Sequence, residues 1–491
     1  MLLDGRLITG PGAPCRPGRL VIGQGRVRAI EPLDPDPTRL PVVCPAFIDA
    51  HTHPVELGLQ ELFADVGRAA TIDELLQLVA DRRAALRPRT MLGFNLEPER
   101  LAEKRFPTRA ELDRACPGVP CLVYRVDCHS AVLNTAGLAL VAPGPSETME
   151  RDRTGEPTGL LSGPAYEFAS RLFKRRLEPD TVHEALRRAG ELALAAGATT
   201  IAALVGSFDL EETQWRVLLD GLGKCPARTV PFLQTRDTAV ATTFGLGRIG
   251  GCVLVDGSFG SHTAALAEDY ADRPGQRGSC YHTDAELAAF FGQADKRGLQ
   301  ATVHAIGDRA VEQVVRCYEA VLGPQSPNPL RHRIEHAELL SGPLVERIAR
   351  LGLVLGVQPA FEARWGGPGG LYARRLGPRW RRTNPYRALR GAGIMLAGGS
   401  DAPITPIDPL GGIRAATHHP NPDQSIPGPE ALAMFTTRAA FSLGLESELG
   451  RLEPGVRADF AVLSADPRED TDCRLIATWR DGRVAWQPAA G

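Results

Sequence analysis

The feature that most restricts how this chain can fold is a repeated alternation. Ten short apolar stretches read as buried strands, at 47–51, 91–96, 121–126, 198–204, 228–233, 252–256, 300–305, 333–336, 353–358 and 394–399, and many are separated by helical periodicity. Helices are expected over 72–86, 180–196, 284–298 and 308–322, with Thr283 placed to cap the third and Gly298 to stop it. Strand-helix units with short links favour a parallel sheet, and about eight of them favour a closed barrel. Ten candidates for eight places put at least two in insertions or outside any strand. Residues 1 to about 45 instead read as short strands broken at Gly10-Pro11-Gly12 and Gly23-Gln24-Gly25. The end of the chain behaves alike, with strand patterns at 459–463 and 475–479 and a turn at Asp481-Gly482. The expectation is an α/β protein: a (β/α)8 TIM barrel over 46–439 and a small β-sandwich domain formed by both termini, 1–45 and 440–491. Residues 140–160 and 362–385, rich in Gly, Pro and Arg, are expected as long loops over one face.

Composition narrows the partners. Hydrophobic content of 43%, charged content of 23% and a net charge of −2 give no electrostatic reason to expect nucleic acid or an anionic membrane. A small-molecule substrate is the default. The 10 cysteines form no Cys-x2-Cys pair, and the N-terminus lacks a basic start followed by an apolar core, so a reduced, cytoplasmic protein is expected. The most apolar stretch, 192–205, is too short to span a bilayer. A homodimer is the default assembly, as the commonest one for soluble proteins.

Active groups of such a barrel sit where its strands end. Four expected strands end in metal-compatible side chains. The first ends in His51-Thr52-His53, whose alternate residues share a face and can grip one ion. The others carry His304 in 301–308, His336 in 331–336 and Asp401 in 397–403. Each histidine alone reads as well as a core side chain satisfied by backbone, and Asp401 as a turn residue before Pro403. Four strand ends of one barrel are harder to explain that way. Imidazoles suit zinc, and an ion with an open position lowers the pKa of bound water to about 7. Asp401 can touch such an ion and move the water's proton to a leaving group.

These stretches resemble the amidohydrolase superfamily, and more narrowly its YtcJ-like branch, amidohydrolase family 3. Further motifs carry the resemblance: 107–113, Asp127-Cys128-His129 with Asn134, 255–260, 303–310, 331–336, Gly399-Ser400-Asp401-Ala402-Pro403, and 450–460 leading back toward the N-terminal strands. The resemblance implies a distorted (β/α)8 barrel, hydrolysis of amide-like C–N bonds of N-acyl or N-formyl compounds, and a metal set of His51, His53, His304, His336 and Asp401. It also implies substrate contacts at His129, Asn134, Asp256, Ser258, His262 and Arg333.

The chain departs from the family in two places. Cys252 stands where many relatives carry the lysine that bridges two metals as a carbamate, and Ser162-Gly163 replaces a glutamate after Gly159-Leu160-Leu161, with Glu167 nearby. Cys252 reads either as a thiolate ligand or as a small buried residue. One zinc ion is the expected occupancy, with a second ion or another divalent metal as the alternative. Trp365, Tyr372 and Trp380 read either as a lid or as packing of their own loop. Deamination or lactam opening at the same site, and a non-catalytic barrel scaffold, are the competing functions.

Overall fold

The computed structural model describes residues 1–34, 40–207, 209–323 and 328–489. Among them the strands form sheets of eight, seven and six members. The eight-stranded sheet is parallel and runs, in chain order, through Phe47–Thr52, Ala198–Val205, Arg228–Leu233, Arg248–Ile249, Gln300–Ala305, Arg333–His336, Val354–Val357 and Leu396–Gly398. Its two edges meet. The Asp401 amide donates to the His51 carbonyl at 2.8 Å and the His53 amide to the Ala402 carbonyl at 2.8 Å. Gly399 permits that approach, since a Cβ there would lie 2.6 Å from the His51 nitrogen. The sheet is thereby a nearly closed barrel.

Alternation along the strands explains what packs where. Ile201, Val303, Ile334, Leu355 and Leu396 join one apolar cluster with the surrounding helices, such as Asp308–Leu322, which buries Val311, Val314, Val315 and Tyr318 at helical spacing. Below the strand ends, Ile48, Ala202, Leu204, Phe232 and Ala397 form a second cluster, closed by Ala439 and Ala440 of helix Thr437–Ser442. A barrel interior packed in this way is a floor for a site at the opposite rim.

The ten expected strands divide as follows. Met91–Leu96 and Cys121–Arg125 are strands of the six-stranded sheet, inserted between the first and second barrel strands. The strand expected at 252–256 is not formed; the barrel strand there is Arg248–Ile249, and Leu254 keeps only an isolated bridge to His304. Gly250 and Gly251, with φ of 94° and 54°, end the extended run. The expected helices lie at Ile72–Leu86, Pro179–Ala195, Asp284–Lys296 and Asp308–Leu322, the third with a full capping box from Thr283 and Glu286. Residues 362–385 are not a long loop. They fold into Pro359–Trp365, Leu371–Leu376 and the 3-10 turn Gly377–Arg382, around buried Phe361, Tyr372, Leu376 and Trp380. Part of 140–160 likewise pairs as strand Met149–Arg151 against Pro157–Ser162.

The chain ends build the seven-stranded sheet, in which Val42–Pro45 runs antiparallel to Phe460–Leu463. Arg228, on a barrel strand, reaches it through Asp459 at 2.8 Å. Among the described residues no helix is long and apolar enough to cross a membrane.

Candidate metal centre

Six of the residues singled out from sequence meet at the barrel rim. His51 Nε2 lies 3.1 Å and His53 Nε2 3.0 Å from the same Asp401 carboxylate oxygen. The His336 ring is 4.9 Å from that of His51 and 4.5 Å from that of His304. Strict alternation would turn His336 outward with Ile334. The strand ends at His336, whose φ of 71° is rare for a residue with a Cβ, and the ring swings back over the barrel.

Three of the four imidazoles are fixed by their other nitrogen. His51 Nδ1 lies 2.6 Å from Glu335 Oε2, His336 Nδ1 2.8 Å from Gln358 Oε1, and His304 Nε2 3.1 Å from the Gly257 carbonyl. Acceptors in these places keep the proton on that nitrogen and leave the opposite lone pair facing the centre, as ligand histidines require. Glu335 is in turn held by Arg333, through bonds of 2.9 Å to both its oxygens, and by the Thr302 hydroxyl at 2.6 Å. Burial would raise the Glu335 pKa, but Arg333 and His51 outweigh it and hold it at about 2. Room for this pair comes from Gly356, where a Cβ would lie 2.1 Å from Glu335 Oε2.

Cys252 occupies the middle. Its sulfur is 3.6 Å from His304 Nδ1 and 3.9 Å from His336 Nε2. The candidate ligand atoms fall into overlapping triads, His51 with His53 and Cys252, Cys252 with His304 and His336, and His51 with His336 and Asp401, each within 4.8 Å. The sulfur is common to two of them. Charge follows the same pattern. Burial opposes ionisation of Cys252 and Asp401, yet the surrounding imidazoles bring both well below their ordinary pKa values. Burial also opposes a charged His53, yet Asp401 and Cys252 carry it up to about 10. A pocket that stabilises anions and attracts positive charge is what a divalent cation needs. Buried His51 Nε2 and Asp401 Oδ1 also lack a hydrogen bond of good geometry, which a metal bond would satisfy. The donor set fits a divalent ion.

The centre opens into a cavity of about 360 Å³. His129 and Ser258 line it, as expected for substrate contacts; the His129 ring is 5.8 Å from that of His304. Four other expected contacts do not line it, each for a visible reason. Asn134 is fully buried and spends its amide on the Cys121 and Gly137 amides and the Cys116 and Val119 carbonyls. Asp256 accepts from the Ala265, Ile306 and Gly307 amides, anchoring the loop after His304. His262 turns to Asp272 at 3.1 Å, and Arg333 is buried beneath the centre against Glu335. Residues the motifs did not flag fill the wall instead: Arg125 paired with Asp127 at 2.7 Å, Glu338, and Arg375. Trp365 and Tyr372 line the cavity, whereas Trp380 packs in the cluster beneath. His332 and His419 are buried and accept backbone amides, while His418 is at the surface.

This architecture has known counterparts. The chain is 27% identical to a metal-dependent hydrolase of Pyrococcus horikoshii, which it matches with a TM-score of 0.77 over 96% of this chain and 99% of that one. It is 31% identical to the YtcJ protein of Bacillus subtilis, covering 87% of this chain and 84% of that protein. It is 27% identical to the N-substituted formamide deformylase of Arthrobacter pascens, over 91% and 88% respectively. The model of the amidohydrolase family matches residues 41–485. With nearly its whole length so matched, the chain belongs to the amidohydrolase family.

Proposed function

We propose that this protein hydrolyses an amide-like C–N bond of a small N-acyl or N-formyl compound at a centre where His51, His53, Cys252, His304, His336 and Asp401 would hold two divalent ions, zinc foremost. The single observation that carries this reading is the convergence of lone pairs from His51, His53, His304 and His336 on one sulfur and one carboxylate. Soft sulfur with imidazole favours zinc over harder cations. Of the two occupancies open from sequence we favour two ions over one, because Cys252 belongs to two of the three overlapping donor triads. His51, His53 and Asp401 would hold one ion, and His304 and His336 the other.

A bound ion supplies Lewis-acid polarisation of the substrate carbonyl and a water acidic enough to ionise near neutrality. The chain's own residues do the rest. Asp401 takes the proton of the attacking water and passes it to the leaving nitrogen, so that a C–O bond forms, the C–N bond breaks, and the amine departs neutral. Glu335 and Gln358 keep His51 and His336 in one tautomer. His129 and Ser258 orient the substrate from the cavity wall, and Phe361, Trp365 and Tyr372 exclude water from its mouth. The formamide deformylase among the relatives supports formyl and acyl amines as the first compounds to try.

Metal analysis of the purified chain, with a panel of N-formyl and N-acyl amines and amino acids, tests this. Zinc approaching two equivalents, turnover of at least one panel member, loss of it on chelation and recovery on adding zinc are expected. A chain that takes up less than about a tenth of an equivalent from added zinc sinks the reading.

A further inference from the structure

A second cavity, of about 700 Å³, opens on the other side of the candidate centre. Its size is that of a small-molecule site. It lies among helices Pro54–Leu62, Gly163–Arg175, Pro179–Ala195 and Glu212–Gly223. The two cavities are not independent. Glu167, Ser170 and Lys174, which share one face of helix Gly163–Arg175, line both, as do Cys252 and Leu254. That helix is a partition, and the cavities meet at Cys252.

Their walls differ in chemistry. The first presents the Arg125–Asp127 pair, His129 and Arg375. The second is walled by Val182, Leu177, Leu210, Val217, Leu218 and Leu254. Leu177, Leu210 and Val217 are only partly buried, so the cavity leaves apolar surface that an occupant would cover. Charges at its wall are already paired: Lys174 with Glu56 at 2.5 Å, Arg175 with Asp209 at 3.2 Å, and Arg236 with Glu286 at 3.7 Å. An ionic group would have to break one of these pairs. An alkyl group would not.

We infer that this second cavity holds the apolar arm, an alkyl or long acyl chain, of an amphipathic amide whose scissile bond lies at the junction beside Cys252. The inference rests on the proposed hydrolytic reading and deepens it by naming the substrate class. The polar part of the substrate then occupies the first cavity, against Arg125, Asp127 and His129.

Calorimetric titration of the zinc-loaded full chain with acetohydroxamate, hexanohydroxamate, octanohydroxamate and decanohydroxamate tests it. The head group probes the metal and the chain probes the cavity. From hexano- to decanohydroxamate, affinity should rise up to about fourfold per methylene, as expected for burial of CH₂ groups. Val217→Trp, which fills the cavity, and Leu210→Asp, which makes its wall polar, should each flatten that rise while leaving acetohydroxamate affinity unchanged. If one variant fails to fold, the other carries the comparison. Flat affinity across the long members in the wild type, or a rise of equal steepness in a folded variant, overturns the proposal. A rise with chain length but no binding of acetohydroxamate keeps the cavity's role and overturns the metal reading instead.

Discussion

In the proposed centre the Cys252 sulfur is the donor common to two of the candidate triads. Cys252→Ser keeps the volume but exchanges a soft thiolate for a hydroxyl that does not ionise near neutrality. The expected outcome is loss of about one equivalent of zinc by metal analysis, with a folded chain by circular dichroism. Asp401→Asn removes the proton carrier while keeping an oxygen donor; it should retain most of the metal and lower turnover by roughly 10²–10⁴-fold. Gly356→Ala should destabilise the chain by about 1–3 kcal/mol in denaturant titration, because its Cβ would meet Glu335 Oε2 at 2.1 Å and displace the support of His51. The four histidines and Asp401 were legible because each ends, or closely follows, an expected strand, whereas Cys252 was flagged only by standing where relatives carry a lysine. Glu335 and Gln358 were not, since only the register of neighbouring strands shows which acceptor faces which ring nitrogen. Asn134 and Arg333 misled for a related reason: a motif marks a residue as constrained without saying whether substrate or backbone constrains it.

Helices long enough to repeat their apolar face were readable, Ile72–Leu86 and Asp308–Leu322 to the residue and the other two within two residues. The Arg-rich segment was not, because its pieces span one or two turns, too short to be stable alone, and are ordered by burying Phe361, Tyr372 and Trp380. The strand expected at 252–256 failed through Gly250 and Gly251, whose backbone turns the chain away from the sheet. The short helices carry a pH-dependent element. Glu362 is fully buried, and burial raises its pKa from 4.5 to about 7; His419, 3.9 Å away, is pushed down by burial to about 4. A carboxyl whose folded pKa is raised binds more protons folded than unfolded between those values. Its contribution is therefore complete below about pH 4.5 and lost as the pH rises to about 7, a change on the order of 3 kcal/mol. Glu362→Gln should flatten that part of the stability–pH curve measured in urea. A slope identical to wild type would show that Glu362 titrates normally.

At the scale of the molecule, the alternation of strands and helices was enough for the barrel, and the turn-rich termini for a separate sheet. Not readable was that residues between the first and second barrel strands build a sheet of their own, since its strands Met91–Leu96 and Cys121–Arg125 have the same apolar character as barrel strands. The termini matter to the barrel. Phe460–Leu463 pairs with Val42–Pro45, directly before the first barrel strand, and Asp459 binds Arg228. Removing residues 457–491 exposes that strand's edge and leaves Arg228 without its buried partner. The shortened chain should be recovered largely insoluble, or be cut within the barrel by protease concentrations that spare the intact protein.

The seam that closes the barrel also sets an order of events in the life of the chain. During synthesis His51 and His53 leave the ribosome long before Asp401, with Asp49 and Ser400, partners across the seam, separated by 351 positions. An ion met early would find only these two of the candidate donors. The full set of donors exists only once Asp401 has donated its amide to His51 and the ring of strands is complete. On the proposed donor set, selection among competing metals would therefore fall to the closed barrel, and the metal supply that matters would be the one present once the seam has formed.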